Sequence, residues 1–340
     1  MKISYPPRLN LAHTPTPLDL LPRLSKKLGI DLYIKRDDLT GAELTGNKVR
    51  KLEFVFADAL AKGADTVLTC GAAQSNHCRA TAVGAARLGL RCRLLLRTAD
   101  LSNPPFPEGN LFLDRLMGAE IVWITPEEYR RRNEIFEREA ATLRKQGRKP
   151  YVVPEGASNP LGAWGYIRAA EELAQDLSNL PGGKDRPTTI VHATGSGGTT
   201  AGLILGVRLC GINARVVGFN VCDDRDHFLR VIGEICESAI ATYHLPLSFV
   251  RERDIEIVDG YVGRGYALSR PEELALLSEV ARTEGIILEP VYTGKAFFGM
   301  IQELSRDPRT FGERIVFIHT GGIFGLLPRV QEIVPFLSNN

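Results

Sequence analysis

The sequence predicts an α/β protein of two domains, with parallel β-sheets flanked by helices. Three observations lead there. Short apolar runs alternate along the chain with longer amphipathic segments, which is the pattern of repeated β–α units. Several of those runs end in turns rich in Gly and Thr that lead directly into a helical pattern. The chain has 340 residues, more than one small core needs.

Taken in order, the runs DLYIKR (31–36), DTVLTCG (65–71), CRLLLR (92–97), EIVWIT (120–125), TTIVHATG (188–195), RVVGFNV (215–221) and RIVFIHTGG (314–322) read as buried strands. Between the first two lies VRKLEFVFADALAKG (49–63), where Val49, Leu52, Val55, Phe56, Ala59 and Leu60 recur at spacings of three and four. Gly63 reads as its C-terminal stop. HCRATAVGAARLGL (77–90) and PEELALLSEVARTEG (271–285) repeat the helical pattern. LSNPPFPEGN (101–110) and SNLPGGKDRP (178–187) read as loops. Neither an internal repeat nor a low-complexity tract interrupts the series.

Composition narrows the function classes. Hydrophobic residues make up 44% and charged residues 24%, an ordinary globular balance. Lys and Arg total 42 against 40 Asp and Glu, so the net charge of +2 gives no electrostatic reason to expect nucleic acid or an anionic membrane as partner. The six cysteines form no C-x-x-C pair and match no zinc spacing, so free thiols in a reducing compartment are expected. MKISYPPRLN lacks the apolar core of a signal peptide, and no apolar stretch approaches the ~18 residues of a membrane span. The expected location is the cytoplasm. No H-x-x-x-H or carboxylate cluster points to a metal.

In folds of this class ligands bind at the carboxyl ends of strands, where loops enter helix N-termini. Four such junctions stand out. In TGNKVRKLE (45–53) Lys48 opens a helix, where the partial positive charge of the amides disfavours an ammonium. A lysine held there has reason to lose its proton, and a neutral amine can form an imine with an aldehyde. On this segment alone, a solvated lysine in the first helical turn is the favoured reading. In TCGAAQSNHCRA (69–80), Gln74, Ser75, Asn76 and His77 precede a helix, a suitable start for a carboxylate site; Ser75 or Asn76 as a plain N-cap is the competing reading. In HATGSGGTTAGLILG (192–206) glycines let backbone amides approach a phosphate closely. It is neither a Walker loop nor the dinucleotide G-x-G-x-x-G. EPVYTGKAF (289–297) and IHTGGIFG (318–325) both place Thr and Gly at the end of an apolar run, bringing Tyr292, Thr293 and Thr320 toward one cleft. A buried tyrosine satisfied by a neighbour is the alternative for Tyr292. His192 reads as a satisfied histidine near the sheet, and His77 and His319 as supporting groups. Asp37 and Asp38 read as structural, ion-paired with Lys35 or Arg36.

In this order, G-N-K, G-A-A-Q-S-N-H, the glycine-rich loop, Y-T-G-K and the final H-T-G-G resemble the D-cysteine desulfhydrase and 1-aminocyclopropane-1-carboxylate (ACC) deaminase family of pyridoxal-phosphate enzymes. The resemblance runs from T-P-L-D-x-L-P-R-L (16–24) to the end of that last motif. It implies the tryptophan-synthase-β-like fold (fold type II), with a smaller domain of 48–160 inserted into a larger one made of 1–47 and 161–340, and a homodimer. It also implies residue roles. Lys48 would hold the aldehyde and then move protons at the substrate α-carbon. Lys51 would reach the phosphate, which Thr194, Gly195, Ser196, Gly197, Gly198 and Thr199 would cradle. Asn76 would bond the cofactor's ring oxygen. Ser75, with Gln74, Asn76 and His77 in its turn, would hold the substrate carboxylate. Tyr266 and Tyr292 would line the substrate side.

ACC deaminases of this family carry Glu and Leu where this chain has Thr293 and Thr320. A glutamate near the pyridine nitrogen strengthens the cofactor as an electron sink, and a threonine hydroxyl does so less. Expelling a thiolate, whose acid has a pKa of about 8.5, needs less help than opening a cyclopropane. The expected reaction is therefore β-elimination from D-cysteine or a close β-substituted alanine. ACC ring opening, L-cysteate sulfo-lyase activity and a non-catalytic phosphate-binding role are the alternatives.

Overall fold

The computed structural model describes residues 3–337 and holds two β-sheets among them. The larger has six strands: β1 (Leu18–Leu20), β2 (Asp31–Lys35), β7 (Thr188–Thr194), β8 (Ala214–Asn220), β9 (Glu256–Val258) and β10 (Arg314–Ile318), in the spatial order β1-β2-β10-β7-β8-β9. The smaller is made of β3 (Thr66–Ala72), β4 (Arg91–Arg97), β5 (Glu120–Ile124) and β6 (Pro150–Val152), in the order β5-β4-β3-β6. Every neighbouring pair is parallel except β1–β2. The smaller sheet comes entirely from chain lying between β2 and β7.

The seven apolar runs all form strands. β1, β6 and β9 were not legible: each has three residues, too few for a periodicity, and each lies at a sheet edge, where burial asks least of the sequence. The central strands are apolar at successive positions because helices cover both faces. Ile190 and Val216 enter the core on one side of the large sheet, while Val191, Val217 and Phe317 enter the other.

Three helices fix the geometry of the future site, and they pack unusually close. The Pro160–Ser178 helix lies between the Lys48–Ala61 helix and the Gly198–Leu209 helix. A Cβ on Gly165 would come within 2.5 Å of the Arg50 backbone, and one on Gly202 within 2.4 Å of the Ala163 carbonyl oxygen. Glycine there permits backbone contact that any side chain would wedge apart.

A buried ion cluster locks the same helices. Arg50 Nη2 lies 2.8 Å from Asp37 and 2.9 Å from Glu172. Asp37 also accepts hydrogen bonds from Thr16 (2.9 Å) and Tyr166 (2.5 Å). The aspartate pair is structural, as expected, but its partners differ. Asp38 pairs with Arg36 at 2.7 Å, whereas Asp37 pairs with Arg50 and Lys35 with Asp176. Asp37 is completely buried, and the largest charge balancing it is Arg50, reaching it from the adjacent helix. Among the described residues no helix is long and apolar enough to cross a membrane, and no group of His, Cys, Asp and Glu is arranged to hold a metal ion.

Candidate active site

The carboxyl ends of β7, β10 and β3 meet around one cavity. β7 ends at Thr194, and Gly195-Ser196-Gly197 turn the chain into the Gly198–Leu209 helix. Gly197 has φ +81°, a left-handed conformation that favours glycine. The first amides of that helix have no intrahelical partner, so the loop has the geometry, as well as the composition, that suits an anion. Thr194, Gly195, Ser196, Gly197 and Thr199 line the cavity; the Gly198 amide instead donates to Ser158 Oγ at 3.2 Å.

Lys48 stands opposite, as the first residue of its helix, and lines the same cavity. Asn47 clamps it in place. The Asn47 amide nitrogen donates to the Thr320 carbonyl at 3.1 Å, and its side chain donates to Thr199 Oγ1 at 3.1 Å. Burial pushes the Lys48 ammonium down to about 8, with Glu155 and Cys222 opposing. The amine is thus poised for nucleophilic use near neutral pH.

Lys51, one turn on, stands behind the cavity wall. Its Nζ donates to Ser158 Oγ at 3.1 Å, and Ser158 Oγ lies 2.8 Å from Ser196 Oγ. Burial first, and the charge of Lys48 second, hold the Lys51 pKa well below the usual lysine value. His77 and His192 flank this region with their pKa values lowered, chiefly by burial and then by the lysines (Lys48 and Lys51 for His77, Lys51 for His192). His77 Nε2 bonds Thr69 at 2.8 Å and His192 Nδ1 lies 3.0 Å from the Ala193 carbonyl. The other nitrogen of each ring is buried without a partner among the described residues, so His192 is only half satisfied.

The turn at 74–77 divides its work. Ser75 is the N-cap of the Asn76–Arg87 helix and accepts from the Cys78 amide at 3.2 Å. Gln74 is turned to the 108–110 segment, where it binds Asn110 N and Glu108 O, both at 3.0 Å. Asn76 lines the cavity; Asn110 Nδ2 donates to its Oδ1 at 2.9 Å, leaving the Asn76 Nδ2 as its free donor.

On the far wall, Tyr292 packs so closely on Gly195 that a Cβ there would sit 3.0 Å from its ring. Its hydroxyl lies 2.6 Å from that of Tyr266. Burial raises both phenols, Tyr292 far above the usual value and Tyr266, relieved by its bond to Tyr292, to about 12. The Arg97 guanidinium lies over the Tyr266 ring at 4.9 Å. Thr320 lines the cavity, whereas Thr293 is fully buried beneath it, with its hydroxyl accepting from the Glu289 amide at 2.9 Å.

Sequence reasoning missed the supporting groups. The Glu289 carboxylate accepts from the amides of Val291 (2.8 Å), Tyr292 (2.6 Å) and Thr293 (2.7 Å), fixing the backbone that carries Tyr292. Burial pushes that carboxyl up to about 7 against those hydrogen bonds. Glu289 lies inside the E-P-V-Y-T-G-K segment, and an acid just before a helix start was the available signal. Asn47, Ser158 and Asn110 had no signal of that strength.

The residues fit pyridoxal phosphate. Lys48 lines the cavity and Lys51 stands behind its wall, and neither amine is ion-paired with a carboxylate among the described residues, so an anion is the natural complement. The glycine loop and helix N-terminus suit its phosphate, and Lys48 suits its aldehyde.

Comparison with known proteins agrees. Residues 9–321 match the family model described as "Pyridoxal-phosphate dependent enzyme". The chain is 45% identical over 341 residues to the bifunctional D-cysteine desulfhydrase/1-aminocyclopropane-1-carboxylate deaminase, mitochondrial, of Arabidopsis thaliana, covering 97% of this chain and 82% of that one. It is 40% identical over 319 residues to the D-cysteine desulfhydrase of Klebsiella pneumoniae, covering 93% and 94%. The crystal structure of an ACC deaminase homologue superposes with a TM-score of 0.87 at 38% identity, over 98% of this chain and 97% of that one. The chain therefore belongs to the pyridoxal-phosphate-dependent enzymes of the tryptophan-synthase-β-like fold, among relatives named for D-cysteine desulfhydrase and ACC deaminase activity.

Proposed function

We propose that the protein is a carbon–sulfur lyase that converts D-cysteine, or a close β-substituted alanine, with water to pyruvate, ammonia and hydrogen sulfide. The observation that carries this reading is Thr320 in the cavity lining, a threonine where the resembling ACC deaminases have leucine. Bound pyridoxal phosphate supplies the electron sink at the substrate α-carbon. Lys48 Nζ, with its lowered pKa, anchors the aldehyde and takes the α-proton. The amide-rich loop at 195–199 and Lys51, acting through Ser158, neutralise the phosphate. Asn76 Nδ2 is the donor offered to the ring oxygen. Ser75 and the amides of its turn would hold the substrate carboxylate, whereas Gln74, bound to Asn110 and Glu108, and His77, bound to Thr69, support that turn from behind. Tyr292, backed by Tyr266, faces the β-substituent as it leaves.

A second reading has a specific support: the Arabidopsis relative's name joins both activities. ACC ring opening to 2-oxobutanoate and ammonia is therefore the comparison reaction. Purified protein is assayed side by side for sulfide release from D-cysteine, pyruvate from L-cysteate and 2-oxobutanoate from ACC. The proposal expects D-cysteine to have the highest kcat/KM; a preference for ACC would overturn it.

Two further assignments belong here. We read the protein as cytoplasmic, on the support of six cysteines that are all free. We read each subunit as two domains with 48–160 as the smaller, on the support of the separate four-stranded sheet within that range, and the protein as a homodimer, on the support of exposed Leu327, Val330 and Val334 along one apolar face. Sedimentation at assay concentration tests the dimer.

A further inference from the structure

The lysine of Y-T-G-K has no part in the chemistry proposed above, and its surroundings are unusual. Lys295 lies in the first turn of the Thr293–Arg306 helix, where the helix dipole opposes a cation, and it is completely buried. Its Nζ donates to the carbonyl oxygens of Val262, Leu268 (2.8 Å) and Gly265 (3.2 Å). Glu273 Oε2 lies farther out at 3.8 Å and is already engaged by Arg270. Three carbonyl acceptors require three N–H donors, which an ammonium has and a neutral amine lacks. Burial lowers the Lys295 pKa and the Glu273 charge opposes that change, while the three carbonyls complete the shell around Nζ.

All three carbonyls come from residues 262–268, a segment with neither strand nor helix. Tyr266 sits in its middle. Gly265 (φ +132°) and Ala267 (φ +58°) flank it in left-handed conformations. A non-glycine residue at such a φ persists where its surroundings hold it. Backbone carbonyls converging on one point are how proteins coordinate monovalent cations.

We infer that Lys295 is a tethered cation: its ammonium fills a monovalent-cation site made by the 262–268 carbonyls and thereby positions Tyr266 against Tyr292. Lys295 is a positioning residue, acting through Tyr266. The inference rests on the reading of Tyr266 as an active-site residue for its effect on turnover, but not for its effect on the loop.

The test pairs hydrogen exchange at residues 260–270 in the cofactor-free protein with D-cysteine turnover of the loaded enzyme, both at fixed ionic strength. In Lys295→Ala the exchange rate should rise by roughly tenfold or more, as expected for a segment that has lost its anchor. Potassium or ammonium chloride should restore most of the protection and of kcat, and tetramethylammonium chloride, too large for the site, should restore neither. Lys295→Met fills the space without charge and should stay unprotected in every salt. Normal protection in either variant, or equal rescue by tetramethylammonium, would overturn the inference. If both variants fail to fold, the wild-type protein decides. Its site is already filled, so exchange and turnover should be indifferent to replacing potassium by tetramethylammonium, and a requirement for the small cation would overturn the inference. A wild type that does not release sulfide from D-cysteine refutes the lyase reading and leaves the exchange measurement intact.

Discussion

The hydroxyls of Tyr266 and Tyr292 lie 2.6 Å apart although 26 residues separate them in the chain. One tyrosine is carried by a loop and the other by the residue before a helix, and their rings meet at 74° with centroids 6.0 Å apart. Only Tyr292 faces the cavity. Tyr292→Phe should therefore lower kcat for D-cysteine by about 10²-fold, the lower end of what a positioned proton-transfer group contributes. Tyr266→Phe should lower it by roughly tenfold, because the substitution leaves the Tyr292 hydroxyl present but without its partner. Steady-state kinetics on both variants checks the order; equal losses would place both hydroxyls on the substrate.

Lys48→Ala should abolish turnover and remove the absorbance that the protein acquires with pyridoxal phosphate. The same amine predicts a pH dependence. Its pKa in the cofactor-free fold is lowered to about 8, so the neutral, reactive form is the minor species below that pH and the major one above it. The rate of cofactor uptake should rise by about tenfold per pH unit below 8 and level off above it. Stopped-flow absorbance from pH 6 to 9 measures the profile. A plateau beginning only near the ordinary lysine value would show that burial does not act on Lys48 as described.

Gly197→Ala should weaken cofactor binding by tenfold or more and lower stability by about 1–2 kcal/mol, the penalty of a left-handed non-glycine residue. The added methyl would also meet Val231 at 3.1 Å and Ile232 at 3.2 Å. Cofactor titration and thermal unfolding of the same variant read the two effects separately.

Ser75→Ala distinguishes two roles that sequence alone left open. Loss of the N-cap bond to Cys78 should lower stability by about 0.5–2 kcal/mol. A rise in KM beyond that expected from the fraction folded would add a direct contact with the substrate carboxylate. Thermal unfolding and KM measured together settle the division.

Arg50→Met removes one member of a cluster in which Asp37 is wholly buried. The uncompensated carboxylate should lower stability by about 3–5 kcal/mol. Because Arg50 lies on the helix that Lys48 opens, cofactor uptake should slow as well. Denaturant unfolding checks the first effect, and the stopped-flow assay the second.

The periodic parts of the fold were legible in the sequence because they answer to local rules. A strand buried on both faces needs consecutive apolar residues, and β2, β3, β7, β8 and β10 carry them. A helix entering an anion site needs glycine where the backbone turns back, and Gly197 is there. Lys48 and the glycine loop could be singled out for the same reason: each is unusual for its own position on a helix or turn, whatever lies nearby.

The supporting groups obeyed no local rule. Ser158 joins Lys51 to the glycine loop across 107 residues, and Asn110 orients Asn76 across 34. Gln74 belongs to the same turn as Asn76 but serves the neighbouring segment. Thr293 and Thr320 look alike in sequence, yet one is buried under Glu289 and the other lines the cavity. The chain itself determined the α/β class, the strand–helix junctions and Lys48 as a candidate nucleophile. Which side chains meet there was decided only by the crossovers that bring the ends of β3, β7 and β10 together. Hydrophobic patterning specifies which face of an element is buried; the partner across that face is specified by packing, which no single segment contains.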